Sequence, residues 1–176
     1  YLGHLISEGK HRITLEKITE LPLLRREREL RKFLRVVGYC RFWIEAYAQK
    51  TKGLYLKLLD EEPNVPQWIV EEKELIELKQ SLITATVLAL LALNKPFQLF
   101  VTRSGAALGV LTQEWKDRCQ PVAYLSKLLD PVSQGWPECI QAVAMSALLV
   151  EESKKLTSGS CLVITTQHRM KTILTQ

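Results

Sequence analysis

At Asn94-Lys95-Pro96 the spacing of apolar residues changes, and that change limits what the chain can become. Before it, Leu30, Phe33, Leu34 and Val37 recur three and four residues apart, as do Leu75, Leu78 and Leu82, which is the spacing of one helix face. After it, Phe97, Leu99 and Val101 fall on every second position, the period of a half-buried strand. A chain of 176 residues can hold one ordinary domain or two small ones. The change of period places a boundary at residue 93.

Within the first regime, residues 1–16 predict a hairpin. Leu2, His4 and Ile6 alternate, Glu8-Gly9-Lys10 supplies the turn, and Arg12-Ile13-Thr14 returns. Residues 17–93 predict a small helical bundle. One helix is built on Leu30 to Val37 and carried on to Ile44. A second runs from Ile44, Tyr47 and Ala48 to Leu59, and a third holds Leu75, Leu78, Leu82 and Ile83. Glu62-Pro63-Asn64-Val65-Pro66 reads as a loop. Residues 94–176 predict strands at Phe97–Val101, Ala107–Thr112 and Pro121–Leu125. A helix over Ile140–Val150, opened by Trp136-Pro137-Glu138, follows, then a strand at Leu162–Thr165 and a helix beginning at Met170–Leu174. The fold class is mixed, α+β or α/β: three antiparallel strands, the fourth parallel beside the first, with helices packed on the sheet.

Charge is divided along the chain. From Leu23 to Lys57 ten basic residues face three acidic ones, a net +7. From Asp60 to Glu77 seven acids accompany Lys73 alone, a net −6. Such asymmetry fits either two solvated helix faces or a phosphate-facing element followed by a scaffold helix. On the helix built around Leu30, residues Arg28, Arg31, Lys32 and Arg35 share a face by their three- and four-residue spacing, which makes them the candidate phosphate contacts. Cys40, Cys119, Cys139 and Cys161 are too far apart for a zinc knuckle or a redox pair, and His4, His11 and His168 form no ligand pair, so they predict free thiols and no metal. The longest apolar run, Ala85 to Leu93, is too short to cross a membrane. Trp43 sits in a helical apolar pattern and is expected to pack. Trp115, beside Lys116 and Arg118, is the only tryptophan expected to be exposed.

The wording of several segments goes further. Tyr1-Leu2-Gly3-His4-Leu5-Ile6-Ser7-Glu8-Gly9 resembles the primer-grip hairpin that ends the palm of retroviral reverse transcriptases. Leu30-Arg31-Lys32-Phe33-Leu34 and Gly38-Tyr39-Cys40-Arg41-Phe42-Trp43-Ile44 resemble their thumb helices. Pro96-Phe97-Gln98-Leu99-Phe100-Val101, Gly109-Val110-Leu111-Thr112-Gln113, the run from Pro121 to Pro131, and Gly135-Trp136-Pro137 resemble the RNase H-like domain that follows. The likeness is strongest to the gammaretroviral branch, endogenous members included, and covers nearly the whole chain. It implies the end of a palm at 1–16, a thumb at 17–93 and a truncated RNase H-like connection domain at 94–176. It also implies that Gly3 and His4 lie near a primer terminus, where glycine permits close backbone approach.

The resemblance equally implies what is missing. Polymerase carboxylates sit on a YxDD-type turn, and no Asp-Asp pair occurs in this sequence. An active RNase H holds Mg²⁺ on carboxylates from its first strand, its first helix and a position after its fourth strand. Here those positions fall on Thr102, or on a gap beside Arg103, then on about Ala142 and on Gln167. Other departures are Arg35 for a usual glycine, Gly53 and Thr86 for prolines, and Leu91-Ala92 for Pro-Asp. The chain alone is therefore expected not to be an enzyme and to need no cofactor, Mg²⁺ belonging only to an intact parent. The expected partner is an RNA–DNA or DNA duplex, held weakly and without sequence preference, with an upstream fingers and palm segment as a second partner and no membrane. Two alternatives stand beside this one. The first is an inactive structural relic or host interaction module. The second is a working nuclease, which would need a rebuilt metal site.

Overall fold

The computed structural model describes residues 3–14, 27–59, 73–116 and 118–166. Glu8 and Gly9 both take positive φ, 49° and 74°, as a two-residue hairpin turn requires. Strands β1 (Gly3–Ser7) and β2 (Lys10–Thr14) pair antiparallel around that turn, with Gly3 opposite Thr14 and His4 opposite Ile13. A third strand, β3 (Leu88–Ala89), joins β2 with Leu88 opposite His11. The apolar run that contains it has no alternation, so its period gives no sign of a strand.

Among the described residues three helices follow the hairpin: α1 (Glu27–Tyr39), α2 (Tyr47–Lys57) and α3 (Lys73–Ile83). Their apolar faces meet in one core of Leu30, Phe33, Leu34, Val37, Leu54, Leu75, Leu78 and Leu82, closed by Leu88 from β3. Two expectations change here. The first helix stops at Tyr39, and Ile44 lies beyond a 3-10 turn at Arg41–Trp43. Gly38 weakens the helix end, and both Trp43 and Ile44 reach the core once the chain turns. Ile83 is exposed, unlike the three leucines with which it shares α3. The expected loop at 62–66, the helix from Met170, and Trp68 lie outside the described residues.

In the second half, β4 (Phe97–Arg103), β5 (Ala107–Trp115), β6 (Arg118–Lys127) and β7 (Leu162–Thr166) form a sheet in the order β6-β5-β4-β7. The pairings match expectation: β4 and β5 are antiparallel with Leu99 opposite Leu111, and β7 runs parallel to β4 with Ile164 opposite Leu99. Pro121 lies within β6, which is tolerated because β6 is an edge strand. The register shifts there, so Thr112 faces Pro121 while Leu111 faces Ala123.

The short helix α4 (Pro131–Gln134) is capped by Asp130, whose side chain accepts from the Val132 and Ser133 amides. Helix α5 (Glu138–Thr157) lies across the sheet and buries Ala142, Met145 and Leu149 against Phe97, Leu99, Val101 and Leu111. Gly109 makes this approach possible. A Cβ there would lie 3.0 Å from Leu149 Cδ1 and 3.1 Å from Leu99 Cδ1.

The two cores meet at the 3-10 turn. Phe42 packs against both. Trp43 Nε1 donates to the His11 carbonyl at 3.4 Å, and its ring meets the His11 ring edge-on at 4.8 Å. Arg41 reaches Glu152 of α5 at 2.9 Å, where Lys127 (3.1 Å) and Lys155 (3.0 Å) also converge. Helix α2 is capped from the other half. Ala46 offers no capping side chain, and the Ala48 amide donates to Ser126 Oγ of β6 at 2.9 Å. Gln49 Nε2 donates to the Ser104 carbonyl in the β4–β5 turn. The link at 92–95 is held by Gln113, which accepts from the Ala92 amide (2.9 Å) and donates to the Ala92 and Lys95 carbonyls.

Two stability outcomes follow from this packing. Gly109→Val should destabilise the chain by about 1–3 kcal/mol, the usual cost of overpacking a filled core, as read by urea unfolding; an unchanged midpoint would mean that Leu149 moves aside freely. Glu152 is the second case. Burial opposes its ionisation, but the hydrogen bonds from Lys155 and Lys127 and the charges of Lys127 and Arg41 outweigh it, holding the carboxyl below its ordinary pKa. A lowered folded pKa means that folding favours the carboxylate. The contribution is complete above the unfolded value and is lost as pH falls through the folded one. Glu152→Gln should therefore cost roughly 1–3 kcal/mol at neutral pH, less than a fully buried pair because its three partners keep 37–59% of their side-chain surface exposed. The gap between wild type and variant should close in acid, and a gap independent of pH would contradict the ionic account.

Candidate nucleic-acid interface

Helix α1 is amphipathic for a simple reason. Its apolar residues occupy one stripe and are taken by the core, which leaves the opposite stripe to solvent. Arg28, Arg31, Lys32 and Arg35 all lie on that exposed side. One helical turn separates 28 from 31 and 32, and another leads to 35, so the four charges form a ladder along the axis. A ladder of this kind suits a phosphate backbone, which needs charge at a spacing rather than a base-edge pattern. Arg35 closes the ladder, on the same exposed side as Arg31 and Lys32.

Gly3 and His4 lie on a different element, strand β1. Gly3 faces Thr14 and His4 faces Ile13 across the hairpin; the His4 side chain lies outside the described residues. The hairpin and α1 are joined indirectly, through the Trp43–His11 contact at the end of the helix. The structure thus brings the four basic residues onto one face and places Gly3 and His4 on a neighbouring sheet.

Thr102 and Ala142, two of the residues expected at RNase H carboxylate positions, lie on separate elements. Thr102 lies near the end of β4, exposed and opposite Leu108. Ala142 is buried in α5, within the core of the sheet. Gln167 lies outside the described residues. The nearest acid to Ala142 on the helix start, Glu138, is engaged by Arg103 at 3.2 Å. Arg103, next to Thr102 in β4, thus ties that strand to the start of α5. Among the described residues, no group of three or more His, Cys, Asp or Glu side chains is placed to hold a metal ion.

The tryptophans divide differently from expectation. Trp43 is buried as expected, and Trp115 is exposed at 47%. Lys95 lies 4.1 Å over the Trp115 ring. Trp136, however, is also exposed, at 42%. It stands in the short link between α4 and α5, where its carbonyl, rather than its ring, is held by Gln141 Nε2 at 2.7 Å. Cys40 is buried, which pushes its thiol up to about 11, while Cys119, Cys139 and Cys161 are exposed free thiols. No helix among the described residues is long and apolar enough to cross a membrane.

Sequence reasoning missed Glu152 and Gln113. Glu152 follows Glu151 in what looks like an ordinary polar helix end, and its partner Arg41 is far away in sequence. Gln113 was visible within a family wording but without its role.

Comparison with known proteins agrees with this architecture. The profile of the RNase H-like domain found in reverse transcriptase matches residues 70–164. The Gag-Pol polyprotein of baboon endogenous virus (strain M7) is 42% identical over 181 aligned residues, covering 100% of this chain and 10% of the relative. The Pol polyprotein of feline endogenous virus ECE1 is 40% identical, covering 100% of this chain and 17% of the relative. The chain thus spans between 10 and 17% of the length of these curated relatives. Among solved structures, a foamy viral protease-reverse transcriptase in complex with double-stranded DNA superposes with a TM-score of 0.80 at 18% identity, over 98% of this chain and 32% of that one. Another, in complex with an RNA/DNA hybrid, gives 0.79 at 20%, over 96% and 23%. At such identities these likenesses carry the fold. The profile match extends over more than half of the residues, and the chain belongs to the family of RNase H-like domains found in reverse transcriptase, with retroviral Pol polyproteins as its relatives.

Proposed function

We propose that this chain is the thumb and connection region of a retroviral reverse transcriptase, and that its role is to hold a nucleic-acid duplex without cutting it. The observation that carries this reading is the ladder of Arg28, Arg31, Lys32 and Arg35, exposed along one helix whose other face is fixed in a core. Support comes from the foamy viral enzymes of the same fold, which were solved with double-stranded DNA and with an RNA/DNA hybrid. The division is a palm end at 1–16, a thumb at 17–93 and a connection domain at 94–176. The presence of one core below residue 93 and another above it fits that division. Gly3 and His4 would border the primer end. The fingers and palm of the parent polyprotein would be the second partner.

The connection domain is proposed to be catalytically silent. RNase H chemistry needs two Mg²⁺ ions held on carboxylate oxygens. Thr102 offers a neutral hydroxyl and Ala142 a buried methyl, and Arg103 places a cation beside them. These residues do not fit the metal, and no step is assigned to it. With no carboxylate pair for nucleotidyl transfer either, the chain alone is read as a binding element.

Binding should be weak and sequence-independent, with a dissociation constant of roughly 10⁻⁴–10⁻⁶ M at physiological salt. With three or four phosphates contacted, log affinity should fall against log salt with a slope of about −3 to −4. Neutralising Arg31 and Arg35 together as glutamines should lower both affinity and slope, as read by fluorescence anisotropy with a labelled duplex. An unchanged titration would reduce the ladder to a solvated helix face and leave the relic reading standing. Separately, incubation of the chain with an RNA–DNA hybrid and Mg²⁺ should leave the RNA strand intact. Cleavage that a chelator abolishes would overturn the silent assignment.

A further inference from the structure

A cleft of about 520 Å³ opens where α2 faces the end of β6, on the line where the two halves join. That volume lies inside the range of roughly 300–1,000 Å³ typical of sites for small organic ligands. Its walls carry two kinds of group. Phe42, Tyr47, Tyr55 and Leu56 present rings and an aliphatic side chain. Tyr47 and Tyr55 hold their hydroxyls 3.4 Å apart. Burial, with the neighbouring Tyr55, pushes the Tyr47 phenol up, so it remains a neutral O–H.

The charged lining residues are Arg41, Lys52, Lys127 and Glu152, three cations against one anion. Glu152 cannot balance them. One of its oxygens takes Arg41 and Lys155, the other takes Lys127, and the carboxylate is nearly buried. Arg41 and Lys127 line the cleft and remain 37% and 45% exposed. Lys52, on the exposed side of α2, adds its charge at the rim. An apolar, aromatic-walled cleft with unbalanced positive charge selects a ligand that is itself flat, apolar and negative. A neutral aromatic would leave the excess charge unanswered, and a small inorganic anion would leave the rings unused.

We propose that this cleft is a binding site for a planar aromatic anion of the aryl carboxylate or aryl sulfonate class. The site is separate from the α1 ladder and does not depend on duplex binding. A ligand seated there touches α2 on one side and β6 on the other, so it would also stiffen the joint between the halves.

The test uses the whole chain and the probe 1-anilinonaphthalene-8-sulfonate, with its uncharged relative N-phenyl-1-naphthylamine as comparison. Saturable one-to-one binding of the sulfonate is expected, with the neutral probe about tenfold weaker, a difference of about 1.4 kcal/mol. Lys52→Glu and Leu56→Glu should each weaken the sulfonate by about tenfold or more. Leu56 is 53% exposed, so the fold should tolerate the change. Val163→Glu, on β7 at the far edge of the sheet from β6, should leave affinity unchanged. Circular dichroism checks each variant, and Lys52→Gln, a milder change expected to weaken binding by a few-fold, serves if a glutamate variant fails to fold. Non-saturable binding, equal affinity for the neutral probe, or affinity unmoved by the Lys52 and Leu56 changes would overturn the assignment.

Discussion

Everything in this structure turns on three consecutive residues, Arg41, Phe42 and Trp43. They follow α1 directly in a single 3-10 turn, and each reaches a different body. Arg41 meets Glu152 of α5, Phe42 enters both hydrophobic cores, and Trp43 bonds the hairpin through His11. Arg41 also stacks over the Phe42 ring at 4.7 Å, which couples the charged and apolar contacts. A helical bundle of this size buries little apolar surface and is marginal alone. Sharing Phe42, and borrowing Ser126 as the cap of α2, lets each half complete what the other lacks. Glu152 then fixes the angle at which they meet, because a carboxylate serving three cations tolerates little displacement of any of them.

The same arrangement suits the proposal that an RNase H-like fold persists here without its metal chemistry. The carboxylate positions of an active site are costly to a fold, since unpaired acids placed close together repel and must be solvated or metal-bound. In this chain Ala142 belongs to the core between α5 and the sheet. Arg103 and Glu138 form an ion pair between β4 and the start of α5. Both contacts serve packing of α5 on the sheet. Gly109 and Leu149 show the same tendency, since helix and sheet approach as closely as a missing Cβ permits.

Much of this was legible in the sequence, and the limits have physical causes. Alternation located β4, and the heptad-like spacing of Leu30 to Val37 located α1, because both signals come from one residue's distance to its own face. The parallel placement of β7 followed from the order of elements. The early end of the first helix was not legible, since Ile44 continues the helical spacing even though the chain has already turned. β3 was hidden because two residues cannot show a period. The joint was invisible for a different reason. Arg41, Ser126 and Glu152 have no local pattern that relates them, and their meeting is a product of tertiary packing alone. The basic ladder was legible residue by residue. Trp136 was not, because a tryptophan beside a proline gives no sign of which way its ring faces.

The joint also bears on how the proposed duplex contact would work. Phosphate attraction to Arg28, Arg31, Lys32 and Arg35 would act on the exposed side of α1, and a helix held only by its own propensity would shift or fray under it. Here Leu30, Phe33, Leu34 and Val37 anchor the other side, each nearly inaccessible to solvent. The helix then leads, through buried Cys40, straight into the turn that carries Arg41 and Phe42. A load on the ladder would thereby pass to α5 and the sheet through the contacts of Arg41 and Phe42. A domain whose proposed part is stiffness rather than chemistry would be useful in such a place. It would give a small basic helix a base rigid enough to hold a heavy polyanion in a fixed position, which the helical half with its own small core could not supply alone.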